Sequence, residues 1–383
     1  MSGGDGVNGM SGMSGMNAIN DMSGMSAGRL GDLLGISRPV VQGPFGGGLS
    51  SVALTAAVSD GGGLGSYGAH ILTPEEITDL VGELKARTSH PFAVNLWVPL
   101  EDEARPWPGA AELAPHIQRL RPYYDELGLP APQADDVTPG PDFDAQVDAL
   151  LAAAPPVISV VMGLPPKRVM DQARRRGIPV IGTATTVDEA VALETAGIDA
   201  VVASGADAGG HRGAFLRPVR ESLVGTFSLV PQVADAVSIP VIAAGGIADG
   251  RGMAAALTLG ADAVQIGSAF LATRESGASA AHKRALSSPE ARTTVLTRLF
   301  SGRTARGIAN RFVRDLNPYE ETVPPYPVQS ALMQPIRREA NAREQADLSS
   351  LWAGQAAALT VGSRGAQDYL TWLMDDFHKH QMA

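Results

Sequence analysis

Eight short apolar runs recur between residues 39 and 270, each separated from the next by a stretch with helical spacing. They read PVVQGP (39–44), GLGSYG (63–68), FAVNLWV (92–98), VISVVM (157–162), PVIGTA (179–184), AVVASG (200–205), PVIAAGG (240–246) and AVQIGSAF (263–270). The last six are nearly continuous apolar runs, the pattern of parallel strands covered on both faces. The intervening helices carry start and stop signals. TPEEITDLVGELKAR (73–87) opens with a Thr73 cap, Pro74 at the first helical position and early carboxylates. TVDEAVALETAG (186–197) has early acids and closes on Gly197, a C-cap residue. Eight strand–helix units in succession predict an α/β chain folded as a (β/α)8 TIM barrel rather than an open sheet.

The pattern also divides the chain. We expect the barrel over 29–275, interrupted by an excursion at 99–141 that is rich in Pro and acidic residues and too long for an ordinary connection. Residues 276–345, with several basic side chains and PYEETVPPYP (318–327), are expected to form a smaller helical lid over the barrel mouth. Within 346–383 a final helix at about 346–360 should pack back on the barrel. Residues 1–28 repeat Met, Ser and Gly, bury too little surface to offset the entropy of ordering, and read as a flexible, disordered tail.

Composition removes several functions. With 30 basic and 40 acidic side chains the formal charge is −10, which argues against a nucleic-acid partner. The chain has no cysteine, so disulfides, thiolate zinc sites and a cysteine nucleophile are excluded, and no metal is expected. Apolar runs are short and broken by Gly or Pro, so no membrane span is expected. The start lacks a basic-then-apolar leader, which leads us to expect a cytoplasmic protein.

In such a barrel the active site gathers at the C-terminal ends of the strands. After the first run comes QGPFGGG (42–48), and after the sixth ADAGGHRG (206–213). Gly245 and Gly246 follow the seventh run, and Gly267 and Ser268 close the eighth, where backbone N–H groups commonly hold a phosphate in barrels of this kind. Asn95 is a polar side chain in an apolar strand, and a buried amide requires partners. His211 follows two glycines that permit close backbone approach, and reads as a general base, a hydrogen-bond donor or a loop residue. GLGSYG also matches G-x-G-x-x-G, but a dinucleotide site needs a strand before it and a helix directly after. Here a helix-like run precedes it and AHIL intervenes before Thr73.

PVVQGPFGGGLSSVALTAAVSDGGGLGSYGA, NLWVP, GTATTVDEA, GADAGGHRG and AAGGIADGRGMAAALTLGADAVQIGSAFL resemble the nitronate monooxygenase family, formerly called 2-nitropropane dioxygenases, across residues 34–361. The resemblance implies FMN as cofactor, held by Asn95, Gly209, Gly246, Gln265, Ile266, Gly267 and Ser268, with His211 as catalytic histidine. Ser204 stands where many members have a flavin-contacting Gln. The implied reaction is oxidation of alkyl nitronates by O2 to carbonyl compounds and nitrite, with His211 as base toward neutral nitroalkanes or cationic partner of the nitronate. In YPVQSALMQPIRREA the substrate-pocket Tyr326 is kept, while Ser330 and Gln334 replace a Tyr and a Lys frequent in the family. The alternative is an NAD(P)H-dependent flavin reductase of the same superfamily, acting on a quinone or enoyl thioester. A phosphate-binding aldolase or isomerase, and a non-catalytic flavin carrier, are further rivals. The strands offer the aldolase or isomerase neither the Lys nor the carboxylate pair it needs.

Overall fold

A computed structural model, which describes residues 27–100, 107–134, 137–138 and 140–381, contains the expected barrel. The expected tail thus lies outside the described residues up to position 26. The barrel strands are β1 (Val40–Gln42), β2 (Gly65–Gly68), β3 (Phe92–Trp97), β4 (Val157–Val161), β5 (Val180–Ala184), β6 (Ala200–Ser204), β8 (Val241–Ala244) and β9 (Ala263–Ile266), with a two-residue β7 (Gly210–His211) outside the barrel. They pair in parallel in the order β1-β9-β8-β6-β5-β4-β3-β2. Backbone bonds bring the two ends of the sheet together: Gln42 N–H donates to Leu64 O and Leu64 N–H to Val40 O, both at 2.9 Å.

Two-residue alternation decides which side chains enter the barrel. Val41, Leu64, Ala93, Val157, Ile181, Val202, Ile242 and Ala263 fill its lower interior, closed from below by Leu30 and Leu34 of the helix Gly28–Leu34. Their neighbours, among them Val94, Val160, Val201, Val264 and Ile266, face the surrounding helices. One step further up, the inward positions become polar. Asn95 follows Ala93, Ser159 follows Val157, Thr183 follows Ile181, Ser204 follows Val202, and Gln265 follows Ala263. An apolar plug below a polar mouth is therefore written into the strands.

Three expectations need correction. The segment 276–345 is not purely helical: β10 (Thr294–Thr297) and β11 (Ala305–Ile308) form an antiparallel sheet whose third strand is β7. The excursion is not separate from it either. Its helix Ala110–Glu126 packs Leu113, Leu120 and Tyr124 against Phe312, Leu332 and Met333, and the Tyr124 hydroxyl donates to Leu332 O. Together they make a second hydrophobic core above the mouth.

The final helix, expected at about 346–360, is instead Ala366–Gln381. Residues 346–360 spend their backbone groups on tertiary partners. Leu351 O accepts from Ile308 N–H (2.9 Å), Gly354 N–H donates to Ser268 Oγ (2.9 Å) and Gln355 N–H to Asp207 O (2.9 Å), leaving only short 3-10 turns. The helix Ala366–Gln381 buries Tyr369, Leu370, Leu373, Met374 and Phe377, one face at helical spacing, against Gly250–Thr258 and Val52–Asp60. Among the described residues no helix is long and apolar enough to cross a membrane.

Candidate active site

A cavity of about 620 Å³ occupies the barrel mouth beneath the second core. Asn95, Ser204, Gly209, His211, Gly245, Gly246, Gln265, Gly267, Ser268, Tyr326, Ser330 and Gln334 all line it. Ile266 does not. The alternation of β9 turns its side chain into the outer core, and its carbonyl accepts from Gly43 N–H at 2.9 Å.

The loop after β6 explains its own sequence. Arg212 folds back and donates to Ser204 O (2.7 Å) and Gly205 O (2.6 Å), so the residue behind His211 fastens the loop to the strand it left. Asp207 accepts from Thr226 N–H (2.8 Å) and Oγ1 (2.9 Å), tying the loop to the helix Thr226–Ala236. Gly209 is required because a Cβ there would collide with the backbone of Ala353 and Gly354.

Gly245 and Gly246 have φ of +105° and +72°, a conformation glycine adopts without strain. A Cβ on Gly245 would stand 2.8 Å from Ala208 N, whereas Gly246 would meet nothing nearer than Asp207 Cβ at 3.4 Å. Gly246 thus leaves room on the cavity side. On the opposite wall Asn95, buried at 3% exposure, is anchored by Nδ2 donating to Ser159 Oγ (3.0 Å).

His211 lies on β7, held against β11, with Nε2 2.7 Å from Ser301 Oγ. Its ring meets Trp97 at 4.8 Å and Trp352 at 5.2 Å between centroids, both edge-on. His70 stacks flat on the other part of this cluster, 3.8 Å from Trp97. What surface these rings show faces the cavity rather than bulk water. Loss of solvation, and then the positive charge of Arg337, lowers the His211 pKa to about 3. Loss of solvation with the charges of His211, Arg303 and Arg337 takes His70 to about 3. Both rings are therefore neutral at pH 7.

Buried His282, whose Nε2 lies 2.9 Å from Trp352 O, is lowered to about 4, mainly by desolvation. All three rings are neutral in the folded state and ordinary, near pKa 6.5, when unfolded. Between those values the unfolded chain binds more protons, so stability is lost as pH falls below about 6.5. We expect the melting temperature to drop steadily from pH 6.5 to 4.5. A flat profile over that interval, above the range where most carboxylates titrate, would contradict neutral rings.

Sequence reading missed Trp97, His70, Ser301, Arg337 and Trp352, which also line the cavity. Trp97 shares the inward parity of Asn95, and Arg337 lies one helical turn beyond Gln334 on the helix Val328–Ala342. Those two spacings were usable signals. The other three arrive from distant segments and carried none.

A capped (β/α)8 barrel whose mouth brings glycine turns at β8 and β9 and a histidine to one cavity has the architecture of an enzyme pocket. The family model "Nitronate monooxygenase" matches residues 28–374, and the chain belongs to that family of oxidoreductases, which in general depend on flavin. A "Probable nitronate monooxygenase" of Staphylococcus aureus (strain MSSA476) is 40% identical over 334 residues, 87% of this chain and 92% of the relative. The solved nitroalkane oxidase from Streptomyces ansochromogenes superposes with TM-score 0.81 at 36% identity, covering 93% of this chain and 99% of that one. FabK from Thermotoga maritima gives TM-score 0.72 at 30% identity, over 92% and 97% of the two chains.

Proposed function

We propose that the pocket holds FMN and oxidises alkyl nitronates with O2 to carbonyl compounds and nitrite, accepting neutral nitroalkanes where His211 removes the proton. The observation that carries this reading is a cavity lined by both His211, whose ring is held by Ser301, and the Arg337 guanidinium. One group can take a proton while the other stabilises the anion left behind.

The residues present suit FMN. The left-handed Gly245–Gly246 turn, with Gly267 and Ser268 beside it, offers backbone N–H groups without side chains in the way, which is what a phosphate needs. Asn95, Ser204 and Gln265 supply polar groups at the strand ends where a flat ring could be hydrogen-bonded. When bound, FMN supplies the electron acceptor that passes reducing equivalents to O2. The protein's share is placement. His211 receives the substrate proton, Ser301 fixes the orientation of its ring, and the second core above the mouth excludes water.

The test has two stages. Cofactor released by heat and compared with standards should be FMN, one per chain; FAD or no flavin would overturn the cofactor assignment. Anaerobic addition of ethylnitronate should then bleach the flavin, with nitrite and oxygen uptake on exposure to air. Bleaching by NADH or NADPH alone, with nitronate inert, would replace this reading with the flavin reductase.

A further inference from the structure

Arg337 differs from Arg212 and Arg306, two other buried arginines close to the site. The guanidinium of Arg212 is offset by Glu189 and Asp207, and that of Arg306 by Asp207. No described carboxylate offsets Arg337, and burial keeps the neighbouring Tyr326 phenol uncharged at neutral pH. Its Nε is sealed from solvent and has no hydrogen-bond partner among the described residues. Its Nη2 donates to Ser330 O and Oγ, both at 3.1 Å. A half-buried cation without a counter-ion is costly, and such a group is retained where something else brings the negative charge. Desolvation lowers its pKa to about 10, so it stays charged at neutral pH.

We propose that Arg337 is the anion-binding residue of this pocket and that its guanidinium receives the oxygens of the substrate's nitronate group. This rests on the nitronate reading above and names the residue that carries it. A planar guanidinium matches two oxygens of one planar group, which a point charge does not. Ser330 and Gln334 leave the position one turn away without a cation, so Arg337 and the more exposed Arg338 are the charges this helix brings to the cavity from above. Its field reaches both His70 and His211, which places the bound anion beside the residue that handles the proton. Ser330 is small enough for Arg337 to lie across it, and that contact fixes the guanidinium before substrate arrives.

The experiment uses the holoprotein as purified, with Arg337→Gln and Arg337→Lys. Ethylnitronate kinetics should show kcat/KM falling about 100-fold in Arg337→Gln, mostly through KM. Arg337→Lys should recover part of that loss, which a purely structural role would not produce. In parallel, nitrate, a planar oxyanion, is titrated against tryptophan fluorescence, since Trp97 and Trp352 line the cavity. Nitrate should bind wild type saturably, compete with ethylnitronate, and lose affinity in Arg337→Gln. The nitrate arm needs no turnover. If wild type binds nitrate through Arg337 yet ignores nitronates, the functional reading fails while the anion site stands. If nitrate does not bind wild type, or if Arg337→Gln folds with unchanged KM and nitrate affinity, the Arg337 proposal is overturned. Should Arg337→Gln not fold, nitrate binding to wild type and the kinetics of Arg337→Lys decide.

Discussion

Gly246→Val is expected to yield a folded barrel that has lost its flavin. Gly246 has φ +72°, where a β-branched residue is strained by about 1–3 kcal/mol. Its hypothetical Cβ touches only Asp207 at 3.4 Å, so no core contact opposes the change and the fold should survive. The added methyl groups have the cavity to occupy, the side from which a phosphate would approach. Relief of strain by a turn flip would also carry the backbone N–H groups away. Either way FMN affinity should fall roughly ten- to hundredfold. Gly245→Val is a poorer probe, because its Cβ would press on Ala208 N and Thr226 Oγ1, both at 2.8 Å, and disturb the loop itself. The flavin-to-protein absorbance ratio and a thermal melt with and without added FMN measure the two effects separately. Full flavin occupancy in Gly246→Val would remove the β8 turn from the phosphate site.

The barrel was legible because short apolar runs and helix caps are local signals, and the runs recur eight times. Asn95 stood out as a polar side chain in an apolar run, and the two-residue alternation of a strand, followed from it, reaches Trp97. It also requires Ile266 to face outward while Gln265 faces inward, a distinction lost when Gln265, Ile266, Gly267 and Ser268 are carried over as one run. Elements whose backbone is satisfied at long range were not legible. Residues 346–360 look helical by composition, yet their bonds go to Ile308, Ser268 and Asp207. Gly210 and His211 became a strand only because β11 supplies an edge for them. Ser301 reaches His211 across 90 residues, which no local spacing could announce.

His211→Asn should separate proton transfer from electron transfer. Asparagine can keep a hydrogen bond toward Ser301 but cannot serve as a base, so turnover of a neutral nitroalkane should fall about 10²- to 10⁴-fold. The corresponding nitronate has already lost that proton and should be far less affected. Flavin content should not change, since the proposed phosphate groups are backbone N–H groups of Gly245, Gly246, Gly267 and Ser268, which the substitution leaves in place. A pKa of about 3 makes His211 a weak base; desolvation is the main cause, and part of the depression comes from the charge of Arg337. As the nitroalkane loses its proton, the nascent nitronate neutralises Arg337, and the part of the penalty on a charged imidazole that Arg337 causes is relieved at the moment the proton arrives. The two residues should therefore couple. On the nitroalkane, the double variant His211→Asn/Arg337→Gln should lose less than the product of the single losses. The pH dependence carries a sign as well. A base with a depressed pKa is already deprotonated across the neutral range, so wild-type kcat/KM should show no loss from His211 as pH rises through 6.5. A catalytic cation of ordinary pKa would show that loss. Equal damage to nitroalkane and nitronate turnover in His211→Asn, or none to either, would take the proton-transfer role away from His211.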